Sequence, residues 1–406
     1  MTLASTDILD QLRGMNTTLL TPMARRATGR DSLEVDGYDA QPLTDIDPMT
    51  NPTNGGIYRV AGTAMDRDVP VPWSLVVKVL KSPAGMVMPG GHVITAEIAG
   101  NPALFNYWKR ESLGFESGAL HDLPDGLRAP RYFGSMEQPE EVVWLWLEEI
   151  VDTSTARWTL DRYGTVARQL GRFNGAYLAG RPLPGGEWLS QGWLRSWVTQ
   201  VVAMIVGYMR EPGPWEHPLV QNAFPRPVRE RLFDVWNDHE VLLGRLERLP
   251  RTFCHLDAYR SNLMIRRGTD GRDETVAVDW AFTGIAALGE ELAPLVVASM
   301  LLAHVPVAEA ARLEEITFDA YLAGLSDAGW TGDPRLVRYG YTAAAALRYG
   351  FLSAADILRA TFDAGQAAVA ERQQRRPFTE ILADRAELTY FLLDRADEAR
   401  GLAHVL

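Results

Sequence analysis

Four polar residues with a defined spacing stand in the second half of the chain. His255, Asp257 and Asn262 form the pattern H-x-D-x-x-x-x-N, and Asp279 ends the apolar run TVAVD further along. A carboxylate beside an incoming hydroxyl can accept its proton, while a second carboxylate and an amide oxygen can hold Mg²⁺ against nucleotide phosphates. The pattern therefore favours phosphoryl transfer, although H-x-D-x-x-x-x-N alone also arises by chance.

Two sequence strings resemble a known family. CHLDAYRSN followed by VAVDW resembles the catalytic loop and the metal-binding strand end of the aminoglycoside phosphotransferase family, part of the protein-kinase-like superfamily. The pair Asp279 and Trp280 is typical of that family, whereas protein kinases usually carry Asp-Phe-Gly. The resemblance implies that Asp257 is the catalytic base and that His255 braces the loop. It also implies that Asn262 and Asp279 are magnesium ligands.

A lysine interrupts an apolar strand pattern in the first half. SLVVKVL places Lys78 among apolar residues, where a buried lysine needs an anionic partner. The resemblance implies that Lys78 contacts the α- and β-phosphates of ATP and pairs with a glutamate on a helix inserted into the sheet. Glu111 is the predicted partner, and Glu116 is its rival. Taken alone, Lys78 fits an exposed edge strand equally well, and Glu111 fits an ordinary exposed helix position.

Two further segments are candidates for nucleotide binding. In NPTNGGIYRV, Gly55 and Gly56 precede a strand, and glycines there would let backbone amides approach phosphates closely. Two adjacent glycines before a strand are also a common turn. The strand end WLEEIVD would, by the resemblance, be the hinge that binds adenine through its backbone, which places Glu149 and Ile150 beside the base.

The chain departs from the family pattern at two points. Arg260 and Ser261 stand where many members have a proline and a small residue, and Tyr259 stands where protein kinases place a phosphate-contacting lysine. Arg260 is predicted either to contact the transferred phosphate or to pack against a neighbouring helix. After Asp279 the family often has an acid that anchors the catalytic loop; Glu291 is the predicted substitute, with helix capping as the alternative.

The pattern of apolar residues changes near residue 150. Before it, GIYRVAGTA, WSLVVKVL and VVWLWLEEI predict strands of one antiparallel sheet, with NPALFNYWKRESLGFESGAL as one inserted helix. After it, helices dominate, as in DRYGTVARQLGRFNGAYL, where one face carries Val166, Leu170, Phe173 and Tyr177. The exception is the segment around CHLDAYRSN and VAVDW, which predicts loop, strand, turn and strand.

These elements predict an α+β, protein-kinase-like two-lobed fold. Residues 1–149 would form an N-terminal nucleotide-binding lobe, an antiparallel sheet with an inserted helix. Residues 150–406 would form a larger, mainly helical C-terminal lobe for catalysis and substrate binding. In the second lobe, Trp188, Trp193 and Trp197 have a spacing that favours core packing over the wall of a sugar pocket.

The amino-acid composition limits the classes of partner and the cellular setting that we expect. Forty basic and 52 acidic side chains give a net charge of -12, which disfavours nucleic acid and anionic membranes. The single cysteine, Cys254, excludes an intramolecular disulfide and fits a reducing, cytoplasmic setting. The first twenty residues do not resemble a secretory signal. The apolar run over residues 292–308 is interrupted by Pro294 and Pro306 and predicts a buried core helix rather than a membrane span.

Together, these observations predict an ATP- and Mg²⁺-dependent O-phosphotransferase. It would move the γ-phosphate to a hydroxyl of a small molecule of aminoglycoside, sugar or amino-alcohol type. One alternative is an inactive kinase-like protein that binds a nucleotide or metabolite. Another is a metal-dependent hydrolase with His255, Asp257 and Asp279 as ligands, which leaves Lys78 and Glu111 without a role. A protein kinase is disfavoured because no Ala-Pro-Glu string follows Asp279.

Overall fold

The computed structural model describes residues 5–44, 51–87, 93–124, 126–154, 157–224, 226–268, 271 and 273–405. A five-stranded antiparallel sheet with the order β1-β2-β3-β6-β5 forms the centre of the N-terminal part. The strands of this part are β1 (Leu33–Thr44), β2 (Asn54–Asp66), β3 (Val69–Lys81), β4 (Leu127–Arg128), β5 (Tyr132–Gln138) and β6 (Val142–Glu148), of which β4 lies outside the sheet.

The predicted antiparallel sheet is confirmed, but it is larger than predicted. The three predicted runs are β2, β3 and β6, and the sequence did not predict β1 and β5. Both additional strands are irregular: the pairing of β1 with β2 shifts between Val35 and Gly37, and that of β5 with β6 shifts between Tyr132 and Gly134. Such irregularities break the alternation of apolar and polar residues by which a strand is predicted.

Alternate residues of β3 enter two different cores. Leu75, Val77 and Val79 are buried with residues of α1 (Ser5–Arg13) and α2 (Thr17–Thr28), which pack on the outer face of the sheet. Leu80 belongs instead to the core that extends through the C-terminal half. Because side chains alternate along a strand, Lys78 lies on the same face as Leu80. The sheet therefore directs Lys78 towards the helical part of the molecule.

The single helix predicted over residues 101–118 is wrong. Within this range the structure has one short helix, α4 (Arg110–Glu116), preceded by turns, and another short helix, α3 (Ala96–Ala99), lies before the range. The fully buried Arg110 donates hydrogen bonds to the carbonyl oxygens of Pro102, Leu104 and Phe105. Those carbonyl groups would otherwise accept bonds along a continuous helix, so the arginine holds the segment in turns.

The C-terminal half is mainly helical, as predicted. Its helices are α5 (Leu160–Leu178), α6 (Trp193–Trp197), α7 (Ala203–Arg210), α8 (Gly213–Glu216), α9 (Pro218–Ala223), α10 (Arg226–Asn237), α11 (His239–Leu246), α12 (Ser299–Leu301), α13 (Ala310–Asp327), α14 (Pro334–Phe362), α15 (Ala364–Gln374) and α16 (Phe378–Gly401). The predicted apolar face of α5 is confirmed, since Val166, Leu170, Phe173 and Tyr177 are all buried. The α+β class is thus confirmed, while the division at residues 149 and 150 stays a prediction.

The strand pattern predicted inside the helical half is also confirmed. β8 (Leu263–Arg267) and β9 (Asp273–Ala277) form an antiparallel hairpin, and β9 also pairs with β4 in parallel. Before the hairpin lies β7 (Arg251–Cys254), which pairs with β10 (Gly284–Ala287). The segment between β7 and β8 and the segment between β9 and β10 carry the polar motif residues, so the two pairs of strands hold the motif from both ends.

The buried core helix predicted over residues 292–308 is confirmed only for the first part of this range. The chain is helical and buried from Pro294 to Leu301 and then turns at Ala303, which has a positive φ of 57°. Pro306 follows this turn, and a proline so close to a helix end prevents the helix from continuing. Over the residues that the structure describes, none of the helices has the length and apolar character needed to cross a membrane.

Candidate active site

β3 carries Lys78 into a cluster of three charges. Its Nζ atom lies 2.6 Å from Glu111 Oε2 and 2.6 Å from Asp279 Oδ1. Glu111 lies in the first turn of α4, and its Oε1 accepts a hydrogen bond of 3.0 Å from Trp280 N. The structure therefore brings together the predicted lysine, the predicted glutamate and the predicted metal ligand. The rival Glu116 is exposed at the far end of α4.

The cluster has more negative than positive charge. Burial alone would lower the pKa of Lys78, but Asp279 and Glu111 outweigh it and hold that pKa above its ordinary value. Burial raises the pKa of Asp279, yet Lys78 outweighs burial and the pKa is lowered. For Glu111, burial is the largest effect and raises the pKa. One ammonium thus serves two carboxylates, which leaves a surplus of negative charge.

The loop after β7 holds the second group of predicted residues. Asn262 Nδ2 donates to Asp257 Oδ2 (2.9 Å) and to Asp257 O (3.0 Å). His255 Nδ1 accepts from Asp257 N (3.1 Å), so the proton of the ring lies on Nε2, which donates to Val278 O (3.0 Å). Val278 N donates to Asn262 O (2.8 Å). These bonds tie the loop to the strand end that carries Asp279.

The two titratable groups of the loop have opposite shifts. Burial lowers the pKa of His255 to about 4, so the ring is neutral, and the backbone uses both of its nitrogens. Burial raises the pKa of Asp257 to about 6, although Arg348 acts to lower it. A carboxyl group with a raised pKa is a stronger proton acceptor when it is ionised. His255 therefore positions the loop, and Asp257 is the group suited to accept a proton.

The loop backbone is held in an unusual conformation. Leu256 has a φ of 64° and Asp279 a φ of 62°, both in the left-handed region that non-glycine residues rarely adopt. Such a residue costs about 1–3 kcal/mol and persists because its surroundings hold it. Glu291 provides part of this support, since its carboxylate accepts from His255 N (2.6 Å) and Leu256 N (3.1 Å). Glu291 therefore anchors the loop rather than capping a helix.

Arg348 is a site residue that the sequence did not predict. It lies on α14, and its Nη2 donates to Asp257 Oδ1 at 2.9 Å. Its Nη1 donates to the carbonyl oxygen of Leu256. A lone arginine in a long helix carries no local motif, so no signal in the sequence pointed to it.

Arg260 contacts the segment after β6, and its contact with the transferred phosphate stays a prediction. Arg260 Nη2 lies 3.0 Å from Asp152 Oδ2 and 3.0 Å from Ser154 Oγ, and its guanidinium lies over the ring of Trp158, 4.7 Å from the ring centre. Asp152 also accepts from Ile265 N (3.2 Å). The arginine is therefore engaged by the segment that follows β6, where a carboxylate and an aromatic ring contact its guanidinium.

The structure explains the two glycines by packing. A Cβ on Gly55 would lie 2.6 Å from Val79 Cγ1, and one on Gly56 would lie 2.5 Å from the ring of Tyr58. Gly56 also has a φ of 134°, which disfavours other residues. Its amide donates to Asn54 Oδ1 at 2.9 Å. These contacts account for both residues, and their contact with phosphate stays a prediction.

The predicted hinge lies between the sheet and the helical half. Glu149 Oε1 pairs with Arg59 Nε of β2 at 2.7 Å, and Ile150 is half-buried. A cavity of about 750 Å³ flanks this segment and includes Arg59 and Glu149 in its lining, but not Lys78 or Asp257. The cavity is therefore not the space between the reacting groups, and adenine binding by Glu149 and Ile150 stays a prediction.

The predicted packing of the tryptophans agrees with the structure, which also shows that the single cysteine is inert. Trp193 and Trp197 stack with their ring centres 5.5 Å apart, and Trp188 and Trp193 are buried in the core. Cys254 is fully buried, and burial raises the pKa of its thiol. A buried thiol with a raised pKa is unreactive. These residues support the site without taking part in its chemistry.

The donor set fits a magnesium ion held jointly with phosphates. Among the residues described, no group of three or more His, Cys, Asp or Glu side chains is arranged to hold a metal alone. Mg²⁺ commonly uses one or two protein carboxylates plus substrate phosphates. Asn262 commits its Nδ2 to Asp257, which leaves its Oδ1 as a ligand, and Asp279 belongs to the cluster with surplus negative charge. Asn262 and Asp279 therefore suit a divalent cation that arrives with a nucleotide.

Comparison with known proteins identifies the class. A family model described as "APH: Phosphotransferase enzyme family" matches residues 110–333, more than half of the chain, and the chain belongs to this family. It is therefore a small-molecule kinase, and the resemblance of its sequence is confirmed. The matched range includes Glu111, Asp257 and Asp279, whereas Lys78 and Arg348 lie outside it. A search of curated proteins gave no match.

The solved structures that match this chain have low sequence identity to it. An amicoumacin kinase is 13% identical with a TM-score of 0.48, over 84% of this chain and 89% of that one. An ethanolamine kinase of Plasmodium vivax is 12% identical with a TM-score of 0.46, over 94% and 92%. An aminoglycoside phosphotransferase from Alicyclobacillus acidocaldarius is 13% identical with a TM-score of 0.46, over 90% and 93%.

Proposed function

We propose that the protein transfers the γ-phosphate of ATP to a hydroxyl group of a small molecule, with Mg²⁺ as cofactor. The observation that carries this proposal is the pairing of Lys78 with both Glu111 and Asp279 beside a loop that holds Asp257 and Asn262. An inactive kinase-like protein would not need all of these groups. A hydrolase with His255 as a ligand is disfavoured because the backbone uses both ring nitrogens.

Each group has a defined part in the proposed reaction. The acceptor hydroxyl approaches Asp257, its oxygen forms a bond to the γ-phosphorus, and the bond from that phosphorus to the bridging oxygen of ADP breaks. The hydroxyl proton passes to the Asp257 carboxylate. Lys78 binds the α- and β-phosphates, and Glu111 orients Lys78. Asn262 and Asp279 would hold Mg²⁺, which neutralises phosphate charge.

The remaining predicted roles belong to the same proposal. Glu149 and Ile150 bind adenine through their backbone, and Gly55 and Gly56 lie over the phosphates. Residues 1–149 act as the nucleotide-binding lobe and residues 150–406 as the catalytic and acceptor lobe. The acceptor is an aminoglycoside, a sugar or an amino-alcohol, a choice supported by the family alone. A cytoplasmic location rests on the single buried cysteine.

A coupled assay of ADP release tests the proposal. Wild type and Asp257→Asn are compared over aminoglycosides, amino sugars, sugars, amino-alcohols and macrolides, with Mg-ATP and with Mg-GTP. We expect at least one acceptor to stimulate ADP release by wild type only. Tight ATP binding without ADP release in the presence of any acceptor would indicate the inactive kinase-like protein instead.

The metal is tested by calorimetric titration of ATP with and without Mg²⁺. In wild type, Mg²⁺ should tighten ATP binding because it joins Asp279 to the phosphates. In Asp279→Asn, which keeps the size but loses the charge, this tightening should largely disappear while metal-free binding persists. An unchanged magnesium effect would remove Asp279 from the metal site, and tight metal binding without nucleotide would favour a hydrolase.

A further inference from the structure

A buried arginine from the C-terminal region reaches the catalytic loop. Arg348 lies on α14, beyond the end of the family match at residue 333, and its side chain is only 8% exposed. An unpaired guanidinium is rarely buried, so the partners of Arg348 indicate why it lies there.

The guanidinium of Arg348 is held on its edge and on its faces. Along the edge it donates to the carbonyl oxygen of Leu256 and to Asp257 Oδ1, two groups of consecutive loop residues. Its carbon lies 4.4 Å from the centre of the Trp193 ring and 5.0 Å from that of Tyr349. A planar fork fixed in this way can hold two acceptors in one orientation, which a lysine ammonium does not do.

These contacts divide the carboxylate of Asp257 between two partners. Oδ1 accepts from Arg348 and Oδ2 accepts from Asn262, so rotation about the carboxylate bond would break one bond or the other. The bond to the Leu256 carbonyl acts on the residue with the left-handed backbone, whose N–H donates to Glu291. Arg348 therefore restrains both the side chain of Asp257 and the backbone that precedes it.

We propose that Arg348 is a positioning residue that fixes the orientation of the Asp257 carboxylate for the incoming hydroxyl. The proposal rests on the proposed phosphotransfer function. Arg348 acts through Asp257 and Leu256, whereas the nucleotide is held from the other side by Lys78. Loss of Arg348 should accordingly lower turnover without weakening ATP binding, because geometry at the attacking group changes while phosphate contacts do not.

A double-mutant cycle on stability first tests the ion pair without any acceptor. The variants are Arg348→Met, Asp257→Asn and the double variant, each measured by urea unfolding. Arg348→Met should destabilise the protein because it leaves a buried carboxylate without its cation, and Asp257→Asn should remove most of that effect. Additive effects of the two substitutions would overturn the proposal.

Turnover of Arg348→Met and Arg348→Lys is then compared with that of wild type. Arg348→Met should lower kcat by about 10- to 100-fold with the KM for ATP within about 2-fold, and Arg348→Lys should fall between the two. Arg338→Met is the matched control, because Arg338 lies on the same helix and pairs with Glu314 and Glu398 away from the loop. It should lose stability and keep kcat. Hydrolysis of ATP, in which water takes the phosphate and ADP is released, provides a readout that needs no acceptor.

The outcomes separate this inference from the proposed function. A stability coupling with unchanged kcat in Arg348→Met would overturn the positioning role and leave a structural ion pair. An equal loss of kcat in the control would also overturn it, because the effect would then follow from stability alone. If wild type released no ADP with any acceptor or by hydrolysis of ATP, the proposed function itself would fail, and the positioning role would fail with it.

Discussion

The two sides of the site are held in different ways. On the side of the sheet, Lys78 contacts both Glu111 and Asp279 directly, and each of the three has a side chain that the proposed chemistry uses. On the side of the loop, Asp257 is held by Arg348, which lies 91 residues further along the chain, and the backbone before it is held by Glu291. Groups that meet a substrate are limited in type by chemistry, whereas groups that hold them can come from any element that passes nearby.

The largest expected effect lies where the two sides meet. Asp257→Asn should lower turnover by a factor of about 100 or more, because the amide keeps the volume but cannot accept the hydroxyl proton. ATP binding, measured by calorimetry, should persist, since Lys78 and the hinge are unchanged. Turnover like that of wild type in a folded Asp257→Asn protein would remove the base from this position.

The sheet side should behave as one unit. Lys78→Ala and Glu111→Ala should each reduce kcat/KM for ATP, and the double variant should be no worse than about the poorer single variant, because each residue leaves the other without its partner. Glu116→Ala, an exposed acid on the same short helix, is the control and should have little effect. Fully additive losses would show that the contact between Lys78 and Glu111 has no energetic role.

On the side of the loop, the contribution of Glu291 should appear in the pH dependence of the free energy of unfolding. Burial raises the pKa of Glu291 to about 7, so the folded protein keeps this proton to a higher pH than the unfolded chain does. The stability that the group contributes is therefore full at low pH and is lost as the pH rises through 7, by roughly 3 kcal/mol.

Glu291→Gln, which cannot ionise, should remove this part of the pH dependence. Urea unfolding at intervals from pH 5 to pH 8 gives the difference between wild type and the variant, and this difference cancels the contributions of His255 and Glu290, which stay in both proteins. Parallel curves for the two proteins would mean that Glu291 does not titrate in this range.

The smallest effect is expected at Arg260. Arg260→Met should lower the free energy of unfolding by about 1–2 kcal/mol, since it loses an ion pair with Asp152 that is partly exposed. The KM for ATP and kcat should stay within about 3-fold of wild type, because the arginine faces the segment after β6. A loss of kcat by more than 10-fold would support the contact of Arg260 with phosphate that the sequence predicts.

The sequence predicted the groups to which the proposed function assigns chemistry better than the groups that place them. Lys78, Asp257, Asn262 and Asp279 were predicted because a charge in an apolar strand or a polar pattern beside one is a local signal. Arg348 gives no such signal, and the pairing of Arg260 with Asp152 could not be predicted because the two residues lie 108 positions apart in the chain. The long helix predicted over residues 101–118 failed for a similar reason, since Arg110 takes up carbonyl groups that the local pattern assigns to a helix.

The connection between the two parts of the molecule has a consequence for how the cleft would open. Glu149 contacts Arg59 in the sheet, whereas two residues of the following segment are fastened to β8: Asp152 accepts from Ile265 N, and Thr153 donates to Ile265 O. The change from one part to the other thus takes place within residues 150 and 151. A connection this short would act as a hinge between the two parts. Any displacement of the sheet against the helical half would be small beside this connection and would grow with distance from it.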